Sequence, residues 1–378
     1  MRFDDAVNVA DLRAIARRRL PRFVFDYVDG GAEDERTLAG NCAAFERLRF
    51  APRTLVDVSK RDLSCSLLGA PASWPAVVGP TGLNGLCWRD GDMALAKAAS
   101  RAGLPFAMST VSMSLVEDVA REAPGRLWLQ AYVFAERRIT DAILGRALAA
   151  GFECAILTSD FPVAGKRERD LRSGLLPRQA LAAATKLDML MHPRWLATVA
   201  TRRPRFVNVE RELGPGRNVN SFVGHGMFDP SFDWDDVKHF RDRWPRKLLL
   251  KGVLRADDAE RAVAAGIDGI VLSNHGGRQL DGAISGLEAL PTVAQAVGGR
   301  AALLVDGGVR RGGDIAKAVA LGAEGVLLGR APVYGLAAGG REGATRALEI
   351  LADEFDRTLA LTGCNAVAAL SPDLVVGA

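Results

Sequence analysis

The chain has few of the features that mark secreted, membrane-spanning or nucleic-acid-binding proteins. Its five cysteines among 378 residues include no CxxC pair, which argues against a disulfide framework and suggests a reducing compartment. No apolar run is long enough to span a bilayer, and the N-terminus lacks the apolar core of a signal peptide. A net charge of +4 without any basic–aromatic run gives no indication of a nucleic-acid partner. We therefore expect a cytoplasmic protein.

The chain does contain a regular alternation of short apolar runs and helical patterns, in a globular composition of 48% hydrophobic and 25% charged residues. Glycines stand where helices end, as at Gly103 and Gly151. This alternation predicts an α/β fold with a parallel sheet, and eight strands predict a closed (β/α)8 TIM barrel. An open doubly wound sheet is the alternative, but Gly79–Gly82 is a poor phosphate-binding loop. The predicted strands are Ala76–Val78, Pro105–Ser109, Leu127–Val133, Cys154–Thr158, Lys247–Lys251, Gly269–Ser273, Ala302–Val305 and Gly325–Leu328.

We expect residues 1–378 to form a single domain. The strands occupy 76–330, with an N-terminal helical cap at 1–75 and a closing helix and tail at 331–378. A long insertion at 161–234 follows the fourth strand, and connections of that length are typical of lids and binding loops. The cap and tail patterns predict helices over Asp11–Leu20 and Arg341–Thr362, a helix opening at Glu33–Glu35, and a short apolar turn at Phe23–Tyr27.

Polar side chains follow every predicted strand. Because the active site of a barrel lies at the carboxyl ends of its strands, these side chains are candidates for one common site. They are Thr81, Ser109, Gln130, Tyr132, Thr158, Asp160, Lys251, Ser273, His275, Asp306, Arg310 and Arg330.

The most distinctive stretch is IVLSNHGGRQLD at Ile270–Asp281. An apolar strand leads to His275, whose side chain titrates near neutral pH. Gly276 and Gly277 permit a tight turn, and Arg278 can hold a carboxylate through two parallel hydrogen bonds. A base and a cation in this arrangement suit removal of a proton from an anionic substrate. Taken alone, the motif is equally compatible with a loop histidine and a surface arginine.

The segment SNHGGRQLD resembles the signature of the FMN-dependent α-hydroxy-acid dehydrogenase and oxidase family. The resemblance covers nearly the whole chain, through FDYVDGGAEDERTLAGN, GPTGLNG, LQAYV, LTSD, GKRERDLR, LLLKG, LVDGGVRRGGDI and VLLGR. It implies a barrel that binds FMN, oxidises an (S)-2-hydroxy acid to the 2-oxo acid and commonly forms a homotetramer. GPTGLNG and the HPRW segment at His192–Trp195 are most similar to the branch of the family that oxidises mandelate.

A flavin phosphate needs backbone N–H groups and cations, which barrels often supply after their last two strands. The residues at those positions are Gly307, Gly308, Arg310, Gly329 and Arg330, for which turn glycines and surface arginines are the alternative interpretation. The resemblance implies that Asp306 holds the ribityl chain, and that the flavin ring is hydrogen-bonded by Ser109, Gln130 and Thr158. Further implied flavin contacts are Pro80, Thr81, Gly82, Lys251 and Ser273.

Lys251 ends a predicted strand and has three interpretations: the Schiff-base nucleophile of an aldolase, a fixed cation beside a reduced flavin, or a structural lysine. The His–Arg motif favours the second. The resemblance assigns proton removal to His275 with Asp160 as its partner, and leaves open whether the α carbon or the hydroxyl gives up the proton. For Asp160 alone, a helix cap or a surface acid is the alternative interpretation. The implied catalytic residues are His275, Asp160, Arg278, Lys251 and Tyr132; the implied substrate contacts are Tyr27, Tyr132, Arg167, Arg278, Gly82 and Val111.

Two of these residues bear on the substrate. Gly82 stands where many relatives carry alanine, and Val111 stands where glycolate oxidases carry tryptophan, so the resemblance implies a pocket opened for an aryl group such as that of mandelate. L-lactate dehydrogenation and a soluble oxidase using O2 are the alternatives. A barrel that only binds ligands would not explain the combination of base and cations. The histidines at 192, 225 and 239 match no catalytic motif, and no metal site is predicted.

The insertion carries a basic amphipathic segment over 177–217. Leu187, Leu190 and Met191 share a helical face with Ala183, and Trp195, Leu196 and Val199 continue the apolar content. The basic residues are Arg178, Lys186, Arg194, Arg202, Arg203, Arg205, Arg211 and Arg217. This pattern predicts peripheral attachment to the inner face of the cell membrane, with electrons passed to a membrane quinone or carrier. A lid whose apolar face packs on the barrel is the alternative.

Overall fold

The computed structural model describes residues 1–173, 183–199, 205–214 and 227–377. Its strands are β1 Leu48–Phe50, β2 Cys65–Leu67, β3 Ala70–Ala72, β4 Ala76–Val78, β5 Phe106–Ser109, β6 Leu127–Tyr132, β7 Cys154–Thr158, β8 Lys247–Val253, β9 Gly269–Leu272, β10 Ala302–Asp306, β11 Gly325–Leu328 and β12 Val375–Gly377. Strands β4 to β11 pair in parallel and in chain order, and β11 closes onto β4. The predicted TIM barrel is therefore confirmed, and the open sheet is excluded.

The barrel strands are apolar on both faces because both faces are covered. One cluster of side chains fills the interior, including Val77, Trp128, Ile156 and Leu249. The antiparallel hairpin β2–β3 adds Leu67 to this cluster and closes the amino end of the barrel. The carboxyl end is consequently the mouth at which polar side chains collect.

The helices are α1 Val9–Arg19, α2 Arg22–Asp29, α3 Arg36–Glu46, α4 Gly91–Arg101, α5 Val116–Glu122, α6 Arg137–Ala149, α7 Glu168–Ser173, α8 Ala183–Leu190, α9 Pro193–Thr198, α10 Val207–Leu213, α11 Trp234–Arg243, α12 Ala256–Ala264, α13 Gly286–Val297, α14 Gly312–Ala320 and α15 Arg330–Thr362. Gly103 and Gly151 follow α4 and α6 with φ of 67° and 94°, as helix C-termini favour. Local sequence also fixes helix starts: Ser285 and Glu288 form a capping box on α13.

The cap and tail differ from the sequence prediction in two respects. The predicted turn at Phe23–Tyr27 is wrong, because these residues lie inside α2, which buries Phe23 and Phe25. The predicted helix Arg341–Thr362 is the second part of α15; the sequence does not predict the helical segment that precedes it from Arg330, and the backbone between the two parts leaves helical geometry at Gly339 and Gly340. A Cβ atom on Gly340 would lie 2.6 Å from the Trp88 ring, so the break lets that ring approach the backbone. Strands β1 and β12 join the cap to the tail.

In the insertion, α7 to α10 lie against the cap and the barrel. Trp195 is 6% exposed: its indole N–H donates to the carbonyl of Leu86 and its ring meets Phe23 edge-on at 5.7 Å. Trp195 and the buried Val199 therefore do not extend an exposed apolar face, contrary to the prediction. Among the helices of the described ranges, none offers the continuous apolar length that a bilayer-spanning helix requires. The side chain of Ala183 and the predicted residues Arg178, Arg202, Arg203, Arg217 and His225 lie outside the described residues.

Candidate active site

A buried lysine anchors the charges at the barrel mouth. Lys251 ends the regular part of β8, and its ammonium donates to the hydroxyl of Ser273 at 2.7 Å. The same Nζ lies 3.3 Å from Oδ2 of Asp306 and 3.8 Å from Oδ2 of Asp160. Desolvation alone would lower the pKa of Lys251, but the two carboxylates outweigh it and raise that pKa above its ordinary value. A raised pKa disfavours the neutral amine that a Schiff base requires, so the surroundings of Lys251 favour the fixed cation over the aldolase nucleophile.

His275 lies between a carboxylate and a phenol. Its Nδ1 is 2.8 Å from Oδ1 of Asp160, and its Nε2 is 3.1 Å from the hydroxyl of Tyr132. The carboxylate favours the tautomer with the proton on Nδ1, so the Nε2 lone pair faces the mouth. Desolvation lowers the pKa of His275 although Asp160 acts in the opposite direction. The imidazole is therefore neutral near pH 7, as a base must be.

The backbone at His275 is unusual for a residue with a side chain. Its φ is 59°, in the left-handed region, and its amide donates to the hydroxyl of Ser273 at 2.9 Å. Gly277 continues the turn, and a Cβ atom there would lie 2.5 Å from the amide nitrogen of Leu38. Asn274 exchanges two side-chain hydrogen bonds with Asn41 of α3, at 2.9 and 2.7 Å. The cap thus holds the strained turn that aims the imidazole.

Two arginines and a tyrosine form a cationic patch next to His275. Arg278 donates through Nη1 to the carbonyls of Tyr27 and Gly30, and its guanidinium lies 4.9 Å from the centre of the Tyr27 ring. Desolvation and the nearby charge of Arg167 lower the pKa of Arg278. Arg167 in turn is 3.6 Å from the buried carboxylate of Asp170. Two cations so close together suit an anionic ligand.

The predicted flavin-ring contacts form a continuous row across three strands. Ser109 on β5 donates to Gln130 on β6 at 2.9 Å, and Gln130 donates to Thr158 on β7 at 2.8 Å. All three are buried. Beyond β4, Pro80 precedes Thr81, whose hydroxyl donates to Asn84 at 2.9 Å. Next to it the carbonyl of Gly82 accepts from the hydroxyl of Tyr27 at 3.3 Å.

The loops after the last two strands fit a polyol phosphate. Oδ1 of Asp306 is buried and, among the described residues, has no hydrogen-bond partner, so it can accept from a ribityl hydroxyl. A Cβ atom on Gly308 would lie 2.1 Å from the carbonyl oxygen of Asn41, which requires glycine. A Cβ atom on Gly329 would meet no atom within 4 Å. Arg310, after Gly308, donates to the carbonyl of Val309. These residues fit FMN as the sequence predicts.

Arg330 has a structural role that the sequence did not indicate. Its guanidinium donates to the carbonyls of Val28, Gly30 and Gly276 at 2.9 to 3.0 Å. It therefore fastens α2 to the turn that carries His275. Burial lowers the pKa of Arg330 to about 10. Whether it also contacts the flavin phosphate stays a prediction.

Three further residues in this region were not identified from the sequence. Asp170 is a buried carboxylate in α7, three residues after Arg167, which directly precedes that helix; this spacing brings the two side chains together. Phe161 and Phe228 surround Tyr132. Phe161 directly follows Asp160, which is a usable indication, whereas Phe228 comes from the far end of the insertion and no local pattern marks it.

A TIM barrel whose mouth combines a neutral histidine, clustered arginines and a buried cradle for a polyol phosphate is that of a flavin-dependent oxidoreductase acting on an anionic substrate. A model of the FMN-dependent dehydrogenases matches residues 16–377. The chain belongs to the FMN-dependent dehydrogenase family: it is an FMN enzyme that oxidises 2-hydroxy acids.

Individual relatives are similar over their full lengths. The chain is 46% identical over 367 residues to (S)-mandelate dehydrogenase of Pseudomonas putida, covering 97% of this chain and 93% of that protein. It is 42% identical over 372 residues to L-lactate dehydrogenase of Caulobacter vibrioides, covering 97% of each chain. The crystal structure of the monotopic membrane protein (S)-mandelate dehydrogenase superposes with a TM-score of 0.94 at 45% identity, covering 99% of this chain and 100% of that one.

Proposed function

We propose that this FMN-dependent dehydrogenase oxidises (S)-mandelate or a closely related aryl 2-hydroxy acid to the 2-oxo acid. The observation that carries the proposal is the contact between Gly82 and Val111 beside Tyr27. A Cβ atom on Gly82 would lie 2.8 Å from Cγ2 of Val111 and 3.4 Å from the Tyr27 hydroxyl. Because Gly82 has no Cβ atom, Val111 packs directly against it, and a bulkier residue at either position would take up more of the mouth. The identity with a mandelate dehydrogenase supports the same substrate class.

The substrate is held by its carboxylate and loses a proton to the protein. Arg278 and Arg167 bind the carboxylate, and the hydroxyls of Tyr27 and Tyr132 donate hydrogen bonds to it or to the substrate hydroxyl. Nε2 of His275 removes one proton, from either the α carbon or the hydroxyl. Asp160 stabilises the imidazolium that results. FMN, when bound, would take up the two electrons together with the second proton, so that the 2-oxo acid is released.

The protein supplies charges and hydrogen bonds that suit such a cofactor. Ser109, Gln130 and Thr158 hydrogen-bond the flavin ring, with Pro80, Thr81, Gly82 and Ser273 around it. Lys251 provides a fixed positive charge, stabilised by two carboxylates before any ligand binds. Asp306 accepts from the ribityl chain. Gly308, Arg310, Gly329 and Arg330 hold the phosphate.

A kinetic panel of the purified enzyme tests the substrate. We expect kcat/KM with an artificial electron acceptor to fall from (S)-mandelate to (S)-lactate and further to glycolate. L-lactate is the second candidate, favoured by the similarity to an L-lactate dehydrogenase. A panel in which lactate or glycolate is clearly ahead contradicts the assignment to an aryl acid.

We also propose that the protein attaches peripherally to the inner face of the cell membrane through α8. Leu187, Leu190 and Met191 are 63%, 67% and 74% exposed. Exposure of neighbouring apolar side chains to water is unfavourable and marks an interaction surface. Lys186 is exposed on the same helix. Peripheral membrane helices insert apolar side chains into the membrane–water interface. Cations beside these side chains are attracted to anionic lipids. The similar structure described as a monotopic membrane protein supports this attachment.

Cell fractionation tests the attachment. Replacing Leu187, Leu190 and Met191 by serine should move the enzyme from the membrane pellet to the supernatant, with FMN and dye-linked activity retained. The matched control replaces Leu55 and Leu361, which are 105% and 76% exposed elsewhere, and should stay in the pellet. If the parent enzyme is found in the supernatant at low salt, the attachment proposal is wrong.

We further propose that electrons pass to a membrane quinone or carrier, and that the subunits form a homotetramer. Membrane attachment near the quinone pool supports the first, and the resemblance to the family supports the second. We expect the purified enzyme to reduce a short-chain quinone much faster than O2. We expect light scattering to give a mass four times that of the chain. Rapid O2 consumption would instead identify an oxidase.

A further inference from the structure

Two phenylalanines, Phe161 and Phe228, form what we call the aromatic wall. Their ring centroids are 4.4 Å apart, and each lies 5.0 Å from the centroid of Tyr132, in edge-on geometry. Phe161 also lies 5.4 Å from the ring of His275. Edge-to-face contacts at such distances are favourable and restrict the relative orientation of the rings. The aromatic wall thus borders the His275 site on the Tyr132 side.

Backbone hydrogen bonds fix Phe228 in this position. The amide of Ala135 donates to the carbonyl of Met227 at 3.1 Å, and the amide of Asp229 donates to the carbonyl of Val133 at 3.0 Å. Phe228 therefore pairs antiparallel with Phe134, just beyond β6. The end of the insertion is attached to the strand that carries Tyr132.

The aromatic wall packs on Tyr132, one of the two side chains that contact the ring nitrogens of His275. The ring nitrogens of His275 contact Asp160 and Tyr132. Phe161 directly follows Asp160, and both phenyl rings pack on Tyr132. A smaller side chain in place of Phe161 or Phe228 would leave a cavity beside the Tyr132 ring. Water would reach His275 and Asp160 through that cavity.

We infer that the aromatic wall is a positioning element that holds the Tyr132 phenol against His275 and keeps water from the His275–Asp160 pair. The inference rests on the proposed role of His275 as the base. Neither phenylalanine exchanges a proton; both act through Tyr132 and His275. The end of the insertion, which carries Phe228, thereby positions the catalytic residues. This role is separate from the membrane attachment proposed for α8.

The test is the Phe228→Ala variant of the FMN-loaded enzyme. We expect kcat with (S)-mandelate to fall by about 10- to 100-fold, because small displacements of positioned groups can cost about 10²-fold. The acidic limb of kcat/KM should move to higher pH, because access of water removes the desolvation that lowers the pKa of His275. Phe228→Leu keeps most of the volume and should lose less, which covers the case of poor folding of the alanine variant. The control is Phe50→Ala. Phe50 lies on β1, its ring is half-buried, and its centroid is 5.4 Å from the ammonium of Lys317; its replacement should change neither kcat nor the acidic limb.

A double-mutant cycle separates positioning from general destabilisation. If the wall acts through the phenol, Phe228→Ala must cost much less in a Tyr132→Phe background than in the parent. Additive losses would overturn the inference, as would an unchanged kcat and pH profile in both Phe161→Ala and Phe228→Ala at full FMN occupancy. Parent-like turnover by His275→Asn would instead contradict the proposed function itself, whatever the phenylalanine variants do.

Discussion

Asp160 Oδ1 lies 2.8 Å from Nδ1 of His275, while the other oxygen of the same carboxylate lies 3.8 Å from the ammonium of Lys251. Desolvation acts to raise the pKa of Asp160, but these two partners outweigh it and hold that pKa below its ordinary value. The carboxylate is therefore ionised throughout the neutral range. One side chain thus connects the base to the fixed cation.

The pH dependence of kcat/KM reports on this pair. Because burial lowers the pKa of His275 and the neutral imidazole is the active form, the acidic limb should lie below the ordinary value of about 6.5. In Asp160→Asn the partner that raises this pKa is lost, so the limb should move to still lower pH. The same variant should lose about 10²-fold or more in kcat, because the imidazolium is no longer stabilised. A limb that moves to higher pH in this variant would contradict the pairing.

Arg278→Lys should mainly weaken substrate binding. In the parent, one guanidinium nitrogen donates to the carbonyls of Tyr27 and Gly30, and the plane faces the Tyr27 ring. A lysine ammonium cannot keep these contacts and also grip a carboxylate in two places. We expect KM for (S)-mandelate to rise by about tenfold or more, a loss of about 1.4 kcal/mol. An unchanged KM, measured at saturating acceptor, would remove Arg278 from this role.

Gly82→Ala tests the specificity argument. The new Cβ atom would lie 2.8 Å from Cγ2 of Val111, so Val111 must shift, and a shift into the mouth would take up space beside the substrate. We expect kcat/KM to fall more for (S)-mandelate than for (S)-lactate, because the larger ring needs the lost space. Val111→Ala in the same chain removes the clashing methyl and should restore part of the preference. If kcat/KM falls by the same factor for (S)-mandelate and (S)-lactate, Gly82 does not determine specificity.

Arg310→Glu tests the placement of the flavin phosphate. A carboxylate after Gly308 would repel the phosphate, so the ratio of flavin to protein absorbance should fall sharply after dialysis. Arg300→Glu makes the same charge change in front of β10, at the opposite end of the barrel, and should retain flavin. Full flavin occupancy in Arg310→Glu would contradict the placement.

The sequence predicted the barrel and much of its mouth because both depend on local patterns. The runs before Lys251 and Ser273 are apolar on both faces, so the first polar residue after each lies at or near the carboxyl end of a strand. Tertiary contacts decided what the patterns could not. The α2 segment is too short to show a helical period, and Trp195 faces inward because Phe23 and the Leu86 carbonyl receive it. Phe228 reaches Tyr132 only through pairing with the chain beyond β6.

His275 is proposed to act as the base that starts oxidation of a 2-hydroxy acid by bound FMN. The most direct measurement is anaerobic stopped-flow absorbance of the flavin after mixing with (S)-mandelate, for the parent and for His275→Asn. We predict rapid bleaching of the parent, and bleaching of the fully FMN-loaded variant slower by about 10²–10⁴-fold or more, the contribution of a general base. A parent enzyme whose flavin is not bleached, or a variant within tenfold of the parent rate, would contradict it.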